Sequence, residues 1–204
     1  LMDRITKNIG NSGVGVNIDL TSKTEIKRVL ICRPNHRLGN LLLMTPLVQE
    51  VIETFPNCKI DLFVKGGLAP IIFKNYKNID RIIQLPKKPF TNLIAYIQGW
   101  ASLKKHQYDL VINSVRHSSS GKLSVQFANS TYKIFGNDNL DTQFQEKDYG
   151  HVAKYSIYDL RSYLTRLGFP INNKPPASLD LKLTPLEIAE GKKILNKLVN
   201  PQKK

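Results

Sequence analysis

An α/β fold built on a doubly wound parallel sheet is predicted by three observations. Short apolar runs rich in β-branched residues alternate with helix-spaced segments five times along the chain. The first run, Val29 to Cys32, shows no polar alternation, which fits a strand buried on both faces. That run leads through a polar turn, Arg33 to Asn40, into a helical spacing of apolar residues, which makes half of a βαβ unit. In such sheets ligands bind beyond the carboxyl ends of the strands, so the 33–40 turn is expected to face a ligand cleft.

The elements follow in order. Residues 1–26, with Gly10, Asn11, Ser12, Gly13 and Gly15, read as a flexible tail or a single added strand. Strand one is expected at 28–33. The next helix spans 41–55, with apolar residues at 44, 47, 48, 51, 52 and 55. Pro46 lacks the N–H that would meet the Leu42 carbonyl, so a kink or tight first turn is expected there. Pro56 ends the helix. Strand two is expected at 59–64, a short helix at 68–74, strand three at 79–85 and an amphipathic helix at 91–106. Strand four is expected at 108–113, a helix at 121–128 and strand five at 132–135. The long loop 136–150 holds Asp138, Asp141, Glu146 and Asp148, and loops of that length are often functional. A helix over 151–167 ends at Gly168, a C′ glycine. Residues 179–183 read as a sixth strand. Thr184, Pro185 and Glu187 mark the start of a last helix as N-cap, first helical residue and third. The folded domain is expected at 27–178, with 179–204 as a connecting segment.

Composition narrows the function classes. Of 204 residues, 41% are hydrophobic and 8% aromatic, enough for a sizeable core. No stretch reaches the roughly 18 apolar residues of a membrane span, and residues 1–24 lack the apolar region of a signal peptide. Cys32 and Cys58 form no metal or redox motif, and Cys32 reads as a small core residue, so a reducing, cytoplasmic setting is expected. The formal net charge is +14, from 30 Lys plus Arg against 16 Asp plus Glu. An excess of that size attracts polyanions: a phosphate-bearing substrate, an anionic membrane surface or nucleic acid. The charge is scattered, with no arginine block interleaved with aromatics, which argues against nucleic acid.

The first turn carries one glycine. There is no G-x-G-x-x-G, and Val64-Lys65 stands where a dinucleotide fold needs an acidic residue, so NAD binding is not expected. The P-loop pattern is absent as well. Gly39 would let a ligand approach the backbone closely. Asn40 is either an N-cap or an amide that holds a hydroxyl; it cannot act as a general base.

Arg33-Pro-Asn-His-Arg-Leu-Gly-Asn40, followed by an apolar helix with Thr45-Pro46 and by Phe55-Pro56, resembles the opening of the lipopolysaccharide heptosyltransferases, glycosyltransferase family 9. Asn78 to Leu85, Tyr108 to Asn113, and His151-Val152 opening a segment that ends at Leu167-Gly168 support the resemblance, which covers about residues 27–190. It implies a GT-B fold of two Rossmann-like domains, with this chain as the N-terminal, acceptor-binding half. The C-terminal half, which would grip an ADP-sugar donor, is then missing, and this chain alone is not expected to transfer sugar. The implied activity is inverting, metal-independent transfer of a heptose-type sugar to an anionic inner-core lipopolysaccharide acceptor. The implied location is the cytoplasmic face of the bacterial inner membrane, and no cofactor is expected. A non-catalytic α/β module that binds an anionic glycolipid is the alternative.

The family carries an aspartate where this chain has Asn40, so the implied catalytic base is vacant. His36, in the same turn, could fill it, because an imidazole can accept a proton at physiological pH; so could an acidic residue of 136–150 such as Asp138; or transfer is weak or lost. His36 as a plain loop residue stays open. Candidate acceptor-binding residues are Arg33, Arg37, Gly39, Arg81, Asn113, Arg116 and Ser118. Arginine suits bidentate recognition of carboxylate or phosphate, although Arg81 and Arg116 could be solvated surface charges. His117, Lys65 and Lys122 are further cations near the same edge. Ser118-Ser119-Ser120 offers hydroxyls to a sugar or is simply a turn into a helix. Lys87-Lys88-Pro89-Phe90, with Leu93, Tyr96 and Trp100, reads as a membrane-facing patch or as an ordinary amphipathic helix packed on the sheet.

Overall fold

The computed structural model describes residues 25–136, 150–170 and 172–199. The predicted tail up to residue 24 lies outside them, as does most of the acidic loop with Asp138, Asp141, Glu146 and Asp148. Ile26, assigned to the tail from sequence, is buried in the core.

Five parallel strands, β1 (Arg28–Arg33), β2 (Lys59–Lys65), β3 (Ile79–Leu85), β4 (Gln107–Asn113) and β5 (Asn129–Ile134), form one sheet in the order β3-β2-β1-β4-β5. This is an α/β, Rossmann-like arrangement. The chain builds outward from β1 to β3, then crosses back to place β4 on the other side of β1. The order thus reverses between β1 and β4, and in such sheets the ligand crevice lies outside the carboxyl ends of the strands at that point.

The helices are α1 (Leu38–Leu42), α2 (Thr45–Thr54), α3 (Ala69–Ile72), α4 (Leu93–Lys105), α5 (Ser119–Phe127), α6 (Tyr155–Arg166) and α7 (Pro185–Val199). Strand β1 buries both faces. Val29 and Ile31 join Leu47, Val51, Leu160 and Leu164 on the side of α2 and α6. Leu30 and Cys32 join Phe63, Leu103 and Val125 on the side of α4 and α5. Two-sided burial explains why the strand reads as an unbroken apolar run. The Cys32 thiol has no accessible surface, and burial pushes its pKa up to about 12, so it is an inert core group.

The helix expected at 41–55 is two helices. Pro46 sits in the first turn of α2, a favourable place for proline. The Leu42 carbonyl that it cannot reach is bonded instead by the Thr45 hydroxyl at 2.9 Å. That hydroxyl also accepts the Asp180 N–H at 3.2 Å.

Residues 179–183 are not a strand. Of their alternating leucines only Leu181 packs against the core, while Leu179 and Leu183 stay exposed. Tyr76 donates to the Asp180 carbonyl at 2.6 Å, and Gln49 to the Ser178 carbonyl at 2.9 Å, so side chains supply the bonds that a sheet neighbour would have made. The start of α7 is the predicted capping box: Glu187 N–H donates to Thr184 Oγ at 3.3 Å and Thr184 N–H to Glu187 Oε2 at 2.7 Å. Lys74 holds the Glu187 carboxyl down to about 2, helped by the Thr184 N–H. Helix α6 begins at Tyr155, four residues later than expected, and ends at Gly168, whose φ of 82° requires glycine.

Candidate active site at the carboxyl edge of β1 and β4

The turn after β1 is held by its own backbone. Asn35 N–H donates to the Arg33 carbonyl at 2.6 Å, and Asn35 Oδ1 accepts the Arg37 N–H at 3.0 Å. Lys65 N–H, at the end of β2, donates to the Asn35 carbonyl at 3.3 Å. His36 and Arg37 are exposed on this turn. Helix α1 starts at Leu38, with Arg37 at its N-cap, so Asn40 lies inside the first turn and does not cap it. Asn40 is half-buried, and its amide makes no hydrogen bond to the described residues. A Cβ at Gly39 would meet nothing within 4 Å, so local packing does not demand glycine there.

Arg33 ends β1, and its side chain lies on the α6 side of the sheet, only 5% exposed. Its Nη1 donates to the Ser114 carbonyl at 3.1 Å, while its Nε is buried without a hydrogen bond. Among the described residues no carboxylate is paired with it. Burial lowers its pKa from the usual value, with the Tyr155 hydroxyl opposing. A buried cation lacking a counter-charge is costly, and an anion entering the crevice would relieve that cost.

The turn after β4 completes the edge. Ser114 is buried, and its N–H donates to the Cys32 carbonyl at 3.1 Å, which ties this turn to β1. Tyr155, the first residue of α6, donates to the Ser114 carbonyl at 3.1 Å and accepts the Arg116 N–H at 3.2 Å. The Arg116 guanidinium lies 5.2 Å from the Tyr155 ring centroid and 3.4 Å from Asp159. His117 adopts a left-handed φ of 59°, a strained state that clusters at functional loops.

The structure therefore brings Arg33, Arg37, His36, Gly39, Asn40 and Arg116 to one edge. Three other candidates are engaged in bonds within the domain. Arg81 lies in the amino-terminal half of β3, where it bonds Asp61 at 2.5 Å and contacts His106. Asp61 is fully buried and also binds Arg28 and the Tyr108 hydroxyl, so Arg81 belongs to a structural knot four residues short of the strand's carboxyl end. The Asn113 amide is spent on backbone: its Nδ2 donates to the Val115 and Phe135 carbonyls at 2.9 and 2.8 Å, and its Oδ1 accepts the Val115 N–H at 3.2 Å. Ser118 is the N-cap of α5, accepting the Gly121 N–H at 3.1 Å.

The Asn113 knot carries a prediction. A Cβ on Gly121 would lie 2.2 Å from Asn113 Oδ1, a side chain with no freedom to yield. Gly121→Ala should destabilise the fold by about 1–3 kcal/mol, the usual cost of overpacking. Urea denaturation measures it, and unchanged stability would mean that Asn113 is not fixed as described.

Tyr155 and Asp159 were not singled out from the sequence. Their i, i+4 spacing was visible, but it is shared by every amphipathic helix.

No family model matches the sequence, and no curated protein matches it. Among solved structures, the chain is similar to a glycosyl transferase family 9 protein from Veillonella parvula, with a TM-score of 0.58, 17% identity, and coverage of 88% of this chain and 51% of that one. It is similar as well to E. coli heptosyltransferase WaaC with ADP, with a TM-score of 0.51, 18% identity, and coverage of 73% and 50%. The chain spans about half the length of each. At these identities the shared property is the fold.

Proposed function

We propose that this chain is the acceptor-binding half of an inverting glycosyltransferase of the heptosyltransferase type. In the complete enzyme a nucleotide sugar, expected to be ADP-linked, binds a second Rossmann-like half. The sugar passes to an anionic inner-core lipopolysaccharide acceptor seated over the 33–40 and 114–118 turns. The likeness in fold supports the class of enzyme. The observation that carries the acceptor reading is Arg33: its guanidinium is buried at the switch-point edge without a carboxylate among the described residues.

The residues have distinct tasks. Arg33 neutralises an acceptor carboxylate or phosphate, and Arg37 at the rim attracts it. The Asn40 amide holds the attacking hydroxyl in line. His36 takes its proton as the new bond to the anomeric carbon forms and the nucleotide leaves. The reaction takes place at the cytoplasmic face of the inner membrane; among the described residues no helix is long and apolar enough to cross a membrane.

Asn40 itself favours a second reading, a non-catalytic binding module for an anionic glycolipid, because an amide takes no proton. Turnover of the full-length protein with ADP-heptose and core oligosaccharide separates the two. If His36 is the base, His36→Gln lowers kcat roughly 100-fold or more, and Asn40→Asp changes it little. A steep rise on Asn40→Asp with no effect of His36→Gln would show that the native site lacks a base.

A further inference from the structure

The notable unexplained surface is on α4 and the turn before it. A single 3-10 turn, Pro89–Thr91, leaves Phe90 95% exposed, and Ile94 and Ile97 follow on the outer face of α4 at 72% and 58%. Their spacing repeats every three to four residues, one face of a helix. The inner face is separate: Trp100 stacks edge-on against Phe63 at 5.3 Å, and Leu103 is fully buried. Tyr96 and Trp100, grouped with the patch from sequence, thus belong to the core side, and Ile94 and Ile97 take their place.

The exposure is built in, not a frayed end. Thr91 Oγ donates to the Lys88 carbonyl at 2.7 Å, and Asn92 caps α4 by accepting the Ala95 N–H at 3.0 Å. Lysines flank the apolar ridge at both ends, Lys87 and Lys88 before it and Lys104 and Lys105 after it, all exposed. From Arg81 to Tyr108 the chain has no acidic residue at all. An apolar ridge between cations complements a surface that is apolar beneath and anionic at its rim.

We propose that this ridge docks on an anionic lipid bilayer, with Phe90, Ile94 and Ile97 entering the acyl boundary and the lysines meeting lipid phosphates. The docking does not depend on what the crevice binds, but it has a consequence for it. Helix α4 begins at the carboxyl edge of β3, and Lys87 lies beside His36: a Cβ on Gly66 would come within 3.2 Å of both side chains. A bilayer under Phe90 therefore lies next to the 33–40 turn, where headgroup sugars would be within reach.

Vesicle co-sedimentation of this chain tests the idea without any sugar substrate. Vesicles with about a third phosphatidylglycerol should bind the chain, and pure phosphatidylcholine vesicles should bind it far less. The double variant Phe90→Ser, Ile94→Ser should weaken binding about tenfold or more. Lys88→Glu with Lys105→Glu should weaken it by at least about fivefold per lysine. All four side chains are exposed, so thermal melts should match the parent. Phe90→Trp gives a direct reading, because Trp100 is the one native tryptophan and faces inward: its emission should shift to the blue on adding anionic vesicles. Binding that is absent, that is undiminished in the Phe90/Ile94 variant, or that leaves the Phe90→Trp emission unmoved overturns the proposal. So does a dimer in sedimentation that the same variant dissolves, since the ridge would then be covered by a second copy.

Discussion

Replacing Arg33 with methionine is expected to weaken binding of a carboxylate- and phosphate-bearing core oligosaccharide by about 10- to 100-fold, while the chain stays as stable or becomes more so. The affinity loss is that of a hydrogen bond to a charged group, about 1.5–3 kcal/mol. The stability side follows from the geometry. Arg33 is buried, its Nε is unbonded, and burial alone already depresses its pKa. The Ser114 carbonyl that it bonds keeps a second donor in Tyr155 at 3.1 Å, so removing the guanidinium strands no acceptor. Methionine fills much of the same space without a charge to desolvate. Calorimetric titration and a thermal melt on the same two proteins check both halves. Unchanged affinity with a melting temperature several degrees lower would show that Arg33 is structural. A gain in stability at the cost of binding is the signature of a group kept for function.

The contrasting case is Arg161. It lies in α6, 8% exposed, and grips Glu50 of α2 through two bonds of 2.7 Å. Glu50 also accepts from Asn172 at 2.8 Å, and Arg161 donates to the Lys174 carbonyl at 2.7 Å. Arg161→Ala leaves Glu50 charged in the core, and the expected loss is about 3–5 kcal/mol. For a chain of this size that lowers the melting temperature by roughly 10 °C. The double variant Glu50→Met, Arg161→Met should recover most of it, since neither charge then needs a partner. Failure to recover would mean that the pair fixes the 172–174 segment through its side bonds rather than through charge balance.

These two arginines also show what could be read in the sequence and what could not. Every strand of the sheet was legible, because buried parallel strands need apolar runs such as Val29–Cys32 and Leu110–Ile112, and those need no distant partner to be recognised. The first turn was legible for the same reason: it is polar, lies between a strand and a helix, and contains Arg33. What the sequence leaves unread shares a different cause. Arg81 reads as an acceptor-binding candidate or a solvated charge because it is basic and near the predicted edge, yet its partner is Asp61 on a neighbouring strand. Asn113 was placed at the right edge, but whether its amide faces a ligand or the Phe135 carbonyl depends on where β5 ends. The leucines at 179–183 alternate as a strand would, and only the bond from Tyr76, remote in sequence, and the exposure of Leu179 and Leu183 show that the segment stands apart from the sheet. Local pattern decides which element forms; which group a polar side chain meets is decided by residues far along the chain.

The Thr45 hydroxyl has a mechanical meaning. One oxygen gives its proton to the end of α1 and receives one from the segment that leads into α7. The helix that carries Asn40 and the segment that leads into α7 therefore share a single pivot. A pull on the segment that leads into α7 reaches Asn40 through two hydrogen bonds and one short helix.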